Sequence, residues 1–190
     1  MKIVGVIPAR GGSERVPNKN LKKFFGKPLI AWSILTALKS KKLNRVIVST
    51  DSLAIAAIAK KYGAEVPFVR PVNLAINTIG IEPALKHAYQ WLLEKERYKA
   101  DMLALLFATN PFRQPFHIDE AIAMARKTKA DSVVSVNETP ANHTPYWTLV
   151  SENDKVCLFN GVDLRDILTR RQDFPQKCYA RNDLIYVLKP

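Results

Sequence analysis

Residues 1–20 read M-K-I-V-G-V-I-P-A-R-G-G-S-E-R-V-P-N-K-N. The stretch 2–9 is short, apolar and β-branched, and proline and glycine close it, as they close a strand buried in a sheet. It runs straight into a loop carrying Arg10, Gly11, Gly12, Arg15 and Lys19, with Glu14 set among the cations. Beyond this loop, 29–38 has helix-compatible apolar spacing and ends in the basic run from Lys39, which completes a first βα unit.

The same alternation continues along the chain. R-V-I-V-S-T-D at 45–51 predicts a second strand, with Asp51 or Ser52 placed to cap a helix over 53–62 and Gly63 to stop it. Residues 65–69 predict a short third strand. Pro83 stands where a first-turn proline is tolerated, so 84–97 reads as a helix. M-L-A-L-L-F-A-T at 102–109 is continuously apolar, as a strand covered on both faces would be. A helix over 117–127 and a strand over 131–136 follow. Such a series implies right-handed crossovers and an α/β, three-layer αβα, mostly parallel Rossmann-like sheet. After Asn137 the pattern changes to W-T-L-V, K-V-C-L-F and D-L-I-Y-V-L, short strands joined by polar turns. The expectation is one domain over 1–190, with 138–190 as an antiparallel extension, since no Gly/Ser linker divides them.

At 190 residues and 47% hydrophobic composition the chain can fill a sizeable core, which excludes a disordered or fibrous protein. No apolar run reaches the roughly 20 residues of a membrane-spanning helix, and no signal-peptide pattern opens the chain, so a cytoplasmic location is expected and no membrane partner. Cys157 and Cys178 form no C-x-x-C pair and read as reduced structural thiols. Twenty-nine Lys and Arg against 17 Asp and Glu give a net charge of +12, which concentrates polyanions near the surface without choosing among them. No RRM, KH or zinc signature accompanies the charge, so nucleic acid is not the expected partner. His87, His117 and His143 lack metal-ligand spacing and read as structural; Trp32 and Trp91 read as helix anchors in the core, and Trp147 as a strand core position or a cover for a sugar.

In open α/β sheets ligands collect beyond the carboxyl ends of strands, which is where the opening loop lies. Gly11 and Gly12 let a backbone approach an anion and offer N–H groups, while Arg10, Arg15 and Lys19 supply charge-assisted donors. The combination suits a triphosphate. It is neither a Walker A loop nor a G-x-G-x-x-G dinucleotide loop.

The run I-P-A-R-G-G-S-E-R-V-P-N-K-N-L resembles the nucleotide-binding signature of the acylneuraminate (sialic acid) cytidylyltransferases, the CMP-sugar synthetases. Five further segments resemble that family in the same order: R-V-I-V-S-T-D at 45–51, F-V-R-P-V-N-L-A at 68–75, L-L-F-A-T-N-P-F-R at 105–113, D-S-V-V-S-V at 131–136 and R-Q-D-F-P-Q at 171–176. The resemblance implies attack by the anomeric hydroxyl of a nine-carbon 2-keto acid on the α-phosphate of CTP, with Mg2+, in a homodimer whose lower third closes the partner's site. It also implies roles for particular residues. Arg10 and Lys19 would hold the triphosphate as the catalytic cations. Gly11, Gly12, Ser13, Arg15 and Asn20 would complete the nucleotide loop, and Arg70 would lie near cytosine. Arg171 would bind the sugar carboxylate with its planar fork, and Asn182 would line the same pocket.

The resemblance has gaps. Glu14 stands where relatives carry Lys, Asn77 replaces an Asp, Phe107 replaces a frequent polar residue, and N-D-L-I-Y replaces N-G-A-I-Y. The family's metal-binding segment, with its D-x-D pair, is expected to be missing from this chain, so no metal ligand is assigned. The alternatives are a nucleotidyltransferase for legionaminic, pseudaminic or 3-deoxy-manno-octulosonic acid, or a catalytically impaired nucleotide-binding remnant.

Overall fold

A computed structural model describes residues 1–13, 16–76 and 78–190. In chain order its strands and helices are β1 (Ile3–Pro8), a small hairpin of β2 (Lys23–Phe24) and β3 (Lys27–Pro28), α1 (Leu29–Leu38), β4 (Arg45–Ser49), α2 (Leu53–Lys61), α3 (Glu82–Glu96), β5 (Met102–Leu105), α4 (Pro115–Thr128), β6 (Ser132–Glu138), β7 (Leu149–Glu152), β8 (Lys155–Leu158) and β9 (Tyr179–Leu188). The chain divides into two compact units, 1–135 with 183–190 and 136–182.

The main sheet has the order β4-β1-β5-β9-β6. β1 pairs in parallel with β4 and with β5, while β9 runs antiparallel to β5, Leu105 opposite Tyr186. Alternation along β1 sorts its side chains. Ile3 and Ile7 join Ile30 and Ile34 of α1, Ile55 of α2 and Ile118 and Ile122 of α4 in one core layer. Val4 and Val6 join Leu85, Ala88 and Leu92 of α3 in the other. Helices on both faces of a sheet buried on both sides make the expected three-layer αβα architecture.

Several local expectations change in the folded chain. The apolar run 102–109 leaves the strand after Leu105, because Leu106 N–H still reaches the Val6 carbonyl at 3.0 Å but the chain then turns at Ala108 and Thr109. Residues 65–69 make only the bridge from Glu65 to Ile47, since Pro67 has no N–H to extend the ladder. D-L-I-Y-V-L is antiparallel, as expected, but within the main sheet and not in an extension of it. It is the body of β9, and Ile185 and Val187 fill the core layer beneath α4.

The second unit contains the β7-β8 hairpin, with Val150 opposite Cys157, and an aromatic group in which Phe174 meets Tyr146 at 4.8 Å and Trp147 at 5.1 Å between ring centroids. The Trp147 indole N–H donates to the Leu168 carbonyl. Trp147 is therefore half-buried in a turn of this unit, held by Phe174 and Leu168, and not on a strand. Among the described residues no helix is long and apolar enough to cross a membrane.

Candidate nucleotide site

The loop after β1 is built from the backbone outward. Ala9 N–H reaches the Ser49 carbonyl at 3.0 Å, which keeps the chain against β4 as it leaves the sheet. Gly11 N–H then donates to Asp51 Oδ1 at 3.0 Å. A Cβ at residue 11 would stand 3.1 Å from Ser52 Cβ, so this close approach favours glycine. Beside Gly12 no described atom lies within 4 Å of where a Cβ would be. The Gly11 amide, expected to be offered to a ligand, is taken by Asp51 because that carboxylate sits at the neighbouring strand end. The open space is at Gly12.

The far end of the loop returns through a short 3-10 turn, Lys19–Leu21, entered by Asn18 in the left-handed region at φ 54°. Asn20 is buried, and its Nδ2 donates to the Arg10 carbonyl at 3.2 Å, which ties the two ends of the loop together. Arg10 and Lys19 stay partly exposed, and among the described residues neither has a carboxylate partner. Two cations on one loop with an open glycine make a surface suited to a strong anion. Ser13 lies on the same loop, its N–H bonded to the Gly11 carbonyl at 3.1 Å. Arg15, Glu14 and Asn77 lie outside the described residues.

Arg70 joins this loop through Asp51. Its N–H donates to the Thr50 carbonyl at 2.8 Å and its Nη2 lies 3.6 Å from Asp51 Oδ1. The side chain is only 4% exposed, and burial pushes its guanidinium pKa down while the Asp51 charge opposes the shift. A buried arginine held by a carboxylate is not the surface residue that an R-P turn would otherwise suggest. Of the two candidate caps, Ser52 takes the role, accepting from Ile55 N–H, and Asp51 is the link between loop and arginine. Its place at the carboxyl end of a buried strand was the signal in the sequence.

A second missed residue is Arg113. It is 1% exposed and donates through Nε to the Leu184 carbonyl, through Nη1 to Ser33 Oγ at 3.2 Å and through Nη2 to the Phe107 carbonyl at 2.9 Å. Burial pushes its pKa down to about 10. Arg113 pins the loop beyond β5 to α1 and β9, and so shapes the carboxyl end of the sheet. His117 is structural, accepting the Gln114 N–H at 3.0 Å at the start of α4.

Arg171 and Asn182 belong to the second unit. Arg171 is exposed on a 3-10 turn and lines an open hollow of about 550 Å³ with Glu138, Gln172, Gln176 and Lys177. Asn182 is engaged with Asn137, donating to its Oδ1 at 2.8 Å. No group of three His, Cys, Asp or Glu side chains among the described residues is arranged to hold a metal ion. Asp51 accepts from the Gly11 N–H and lies against Arg70.

The chain is similar to known proteins in sequence and in fold. A cytidylyltransferase family profile matches residues 4–146. The chain is 37% identical to a post-translational flagellin modification protein B of Campylobacter coli, over 99% of this chain and 77% of that protein. It is 40% identical to a CMP-N,N'-diacetyllegionaminic acid synthase of Legionella pneumophila, over 77% of this chain and 62% of that protein, so here it spans less than two thirds of the relative. It is 34% identical to a pseudaminic acid cytidylyltransferase of Campylobacter jejuni, over 91% of this chain and 72% of that protein. Among solved structures, a CMP:2-keto-3-deoxy-manno-octonic acid synthetase complexed with CTP superposes with a TM-score of 0.71 at 21% identity, over 100% of this chain and 74% of that one, a likeness of fold. The profile match takes in the loop after β1, Asp51, Arg70 and Arg113 together, and with the relatives above 30% identity it establishes that this chain belongs to the cytidylyltransferase family.

Proposed function

We propose that this protein transfers the cytidylyl group of CTP to the anomeric hydroxyl of a nine-carbon 2-keto acid sugar, sialic acid or a relative, as a cytoplasmic homodimer. The observation that carries the reading is the pair of cations, Arg10 and Lys19, without a carboxylate partner among the described residues, on the loop of the open Gly12, with Asp51 linking Arg70 to the same loop. The legionaminic acid synthase and the pseudaminic acid cytidylyltransferase among its relatives support an acidic sugar as acceptor.

In this reaction the sugar hydroxyl oxygen forms a bond to the α-phosphorus as the bond to the pyrophosphate oxygen breaks, and the hydroxyl proton passes to solvent. Positioning and charge neutralisation carry such a transfer. Arg10 and Lys19 hold the triphosphate and stabilise charge building on the departing pyrophosphate. Asn20 keeps Arg10's backbone in place, and Arg70 faces the nucleoside. Magnesium would arrive with the triphosphate, whose oxygens are its natural ligands; no step is assigned here to a protein-held ion.

Calorimetry with CTP, UTP, ATP and GTP tests the assignment, with CTP expected to bind most tightly. Equal affinity for all four would remove the cytidylyl reading. At the acceptor end, Arg171→Lys keeps the charge but loses the planar fork. It should weaken the acid sugar by about tenfold, or about 1.4 kcal/mol, with CTP affinity unchanged. Loss of CTP binding with the sugar spared would assign Arg171 to the nucleotide instead.

A further inference from the structure

Buried polar atoms are normally paired, and exceptions call for a physical account. Among the described residues, Ser49 Oγ, Arg70 Nε and His87 Nδ1 are buried without a hydrogen-bond partner. They share one region. Ile47 packs in the core layer under α3, and strand alternation puts Ser49 on that same face. Phe68 belongs to this layer too, two residues before Arg70, and the His87 ring on α3 stands edge-on to it at 4.8 Å. The charge of Arg70 acts directly on His87, while Asp51 and Arg10 act on Arg70.

We propose that Ser49, Arg70 and His87 form one polar support, joined through a single internal water, and that His87 is a positioning residue for the Arg70 guanidinium. The proposal rests on the reading that Arg70 serves the nucleotide. The chemistry of the three atoms is complementary: Arg70 Nε donates, neutral His87 Nδ1 accepts, and the Ser49 hydroxyl does either. A buried water typically makes about three such bonds to groups that would otherwise go unpaired. Burial, reinforced by Arg70, pushes the His87 pKa down and favours the neutral ring, whose Nδ1 accepts in the tautomer that carries its proton on Nε2. Arg70 is then braced from behind by α3 and β4 and from the loop side by Asp51.

CTP affinities of the wild type, His87→Leu, Arg70→Lys and the double variant test this at pH 7.5. His87→Leu should weaken CTP by about tenfold in the wild-type background and by less than about twofold in the Arg70→Lys background, because the coupling runs through the guanidinium. Acidification from the ordinary histidine value of 6.5 downward should weaken CTP more steeply in the wild type than in His87→Leu, since an imidazolium repels Arg70. Protonation of the triphosphate affects both proteins alike. Should His87→Leu fail to fold, His87→Gln, which keeps an acceptor, should bind CTP with the flatter pH response. Equal losses in both backgrounds, wild-type affinity in His87→Leu, or parallel pH profiles for the wild type and the folded variant would overturn the proposal. A wild type that binds no CTP at any pH overturns the nucleotide reading itself, and the proposal with it.

Discussion

Lys19→Ala should weaken CTP binding by about 1.5–3 kcal/mol, the net worth of a hydrogen bond to a charged partner. The ammonium lies on the turn that closes the loop, with no carboxylate partner among the described residues, so its charge is free for the ligand. Its removal should leave the loop intact, because the closure runs from Asn20 to the Arg10 carbonyl and from Gly11 to Asp51. The loss should therefore appear in affinity and not in the unfolding midpoint. Salt should shrink the difference, since exposed charges are screened over about 8 Å at physiological ionic strength. Calorimetry showing unchanged CTP affinity in the folded variant would mean that the loop after β1 is not the phosphate cradle.

Arg113→Ala should be the more damaging change to stability, by about 3 kcal/mol or more. Three donors are lost from a side chain that is 1% exposed, and a cavity replaces it. Some of the loss is offset, because the wild type already bears the desolvation of a buried cation, seen in the pKa pushed down to about 10. For a domain of this size the melting temperature should fall by roughly 6–12 °C. Arg113→Lys, which keeps the charge but cannot span the Leu184, Ser33 and Phe107 partners, should lie between the two. Urea unfolding that placed Arg113→Ala within about 0.5 kcal/mol of the wild type would show that the loop beyond β5 is held by other contacts.

Much of the site was legible because it rests on local chemistry. A β-branched run closed by proline, followed by two glycines and spaced cations, states where a strand ends and what kind of ligand its loop can meet. Arg10 and Lys19 lie on the loop that this pattern marks, beyond the carboxyl end of β1, whereas Asn20 and Arg70 were indicated by the family resemblance. The committed Gly11 amide was not legible, since it depends on Asp51 arriving from 40 residues away. The burial of Arg113 was not legible for the same reason: an arginine in a loop is an ordinary surface residue until the fold encloses it.

The amino-acid order by itself determined the alternation of strands and helices, the two-faced burial of β1 and β5, and the anion-seeking loop, because periodicity, β-branching and glycine act over a few residues. Tertiary structure alone decided that residues 183–188 enter the main sheet beside β5. It also ended the apolar run 102–109 at Leu105 and converted Asp51 from a cap into a tether. Those outcomes depend on partners distant along the chain. Strand pairing, enclosure of a charge and competition for a carboxylate are settled only when a fold brings such partners within hydrogen-bonding distance.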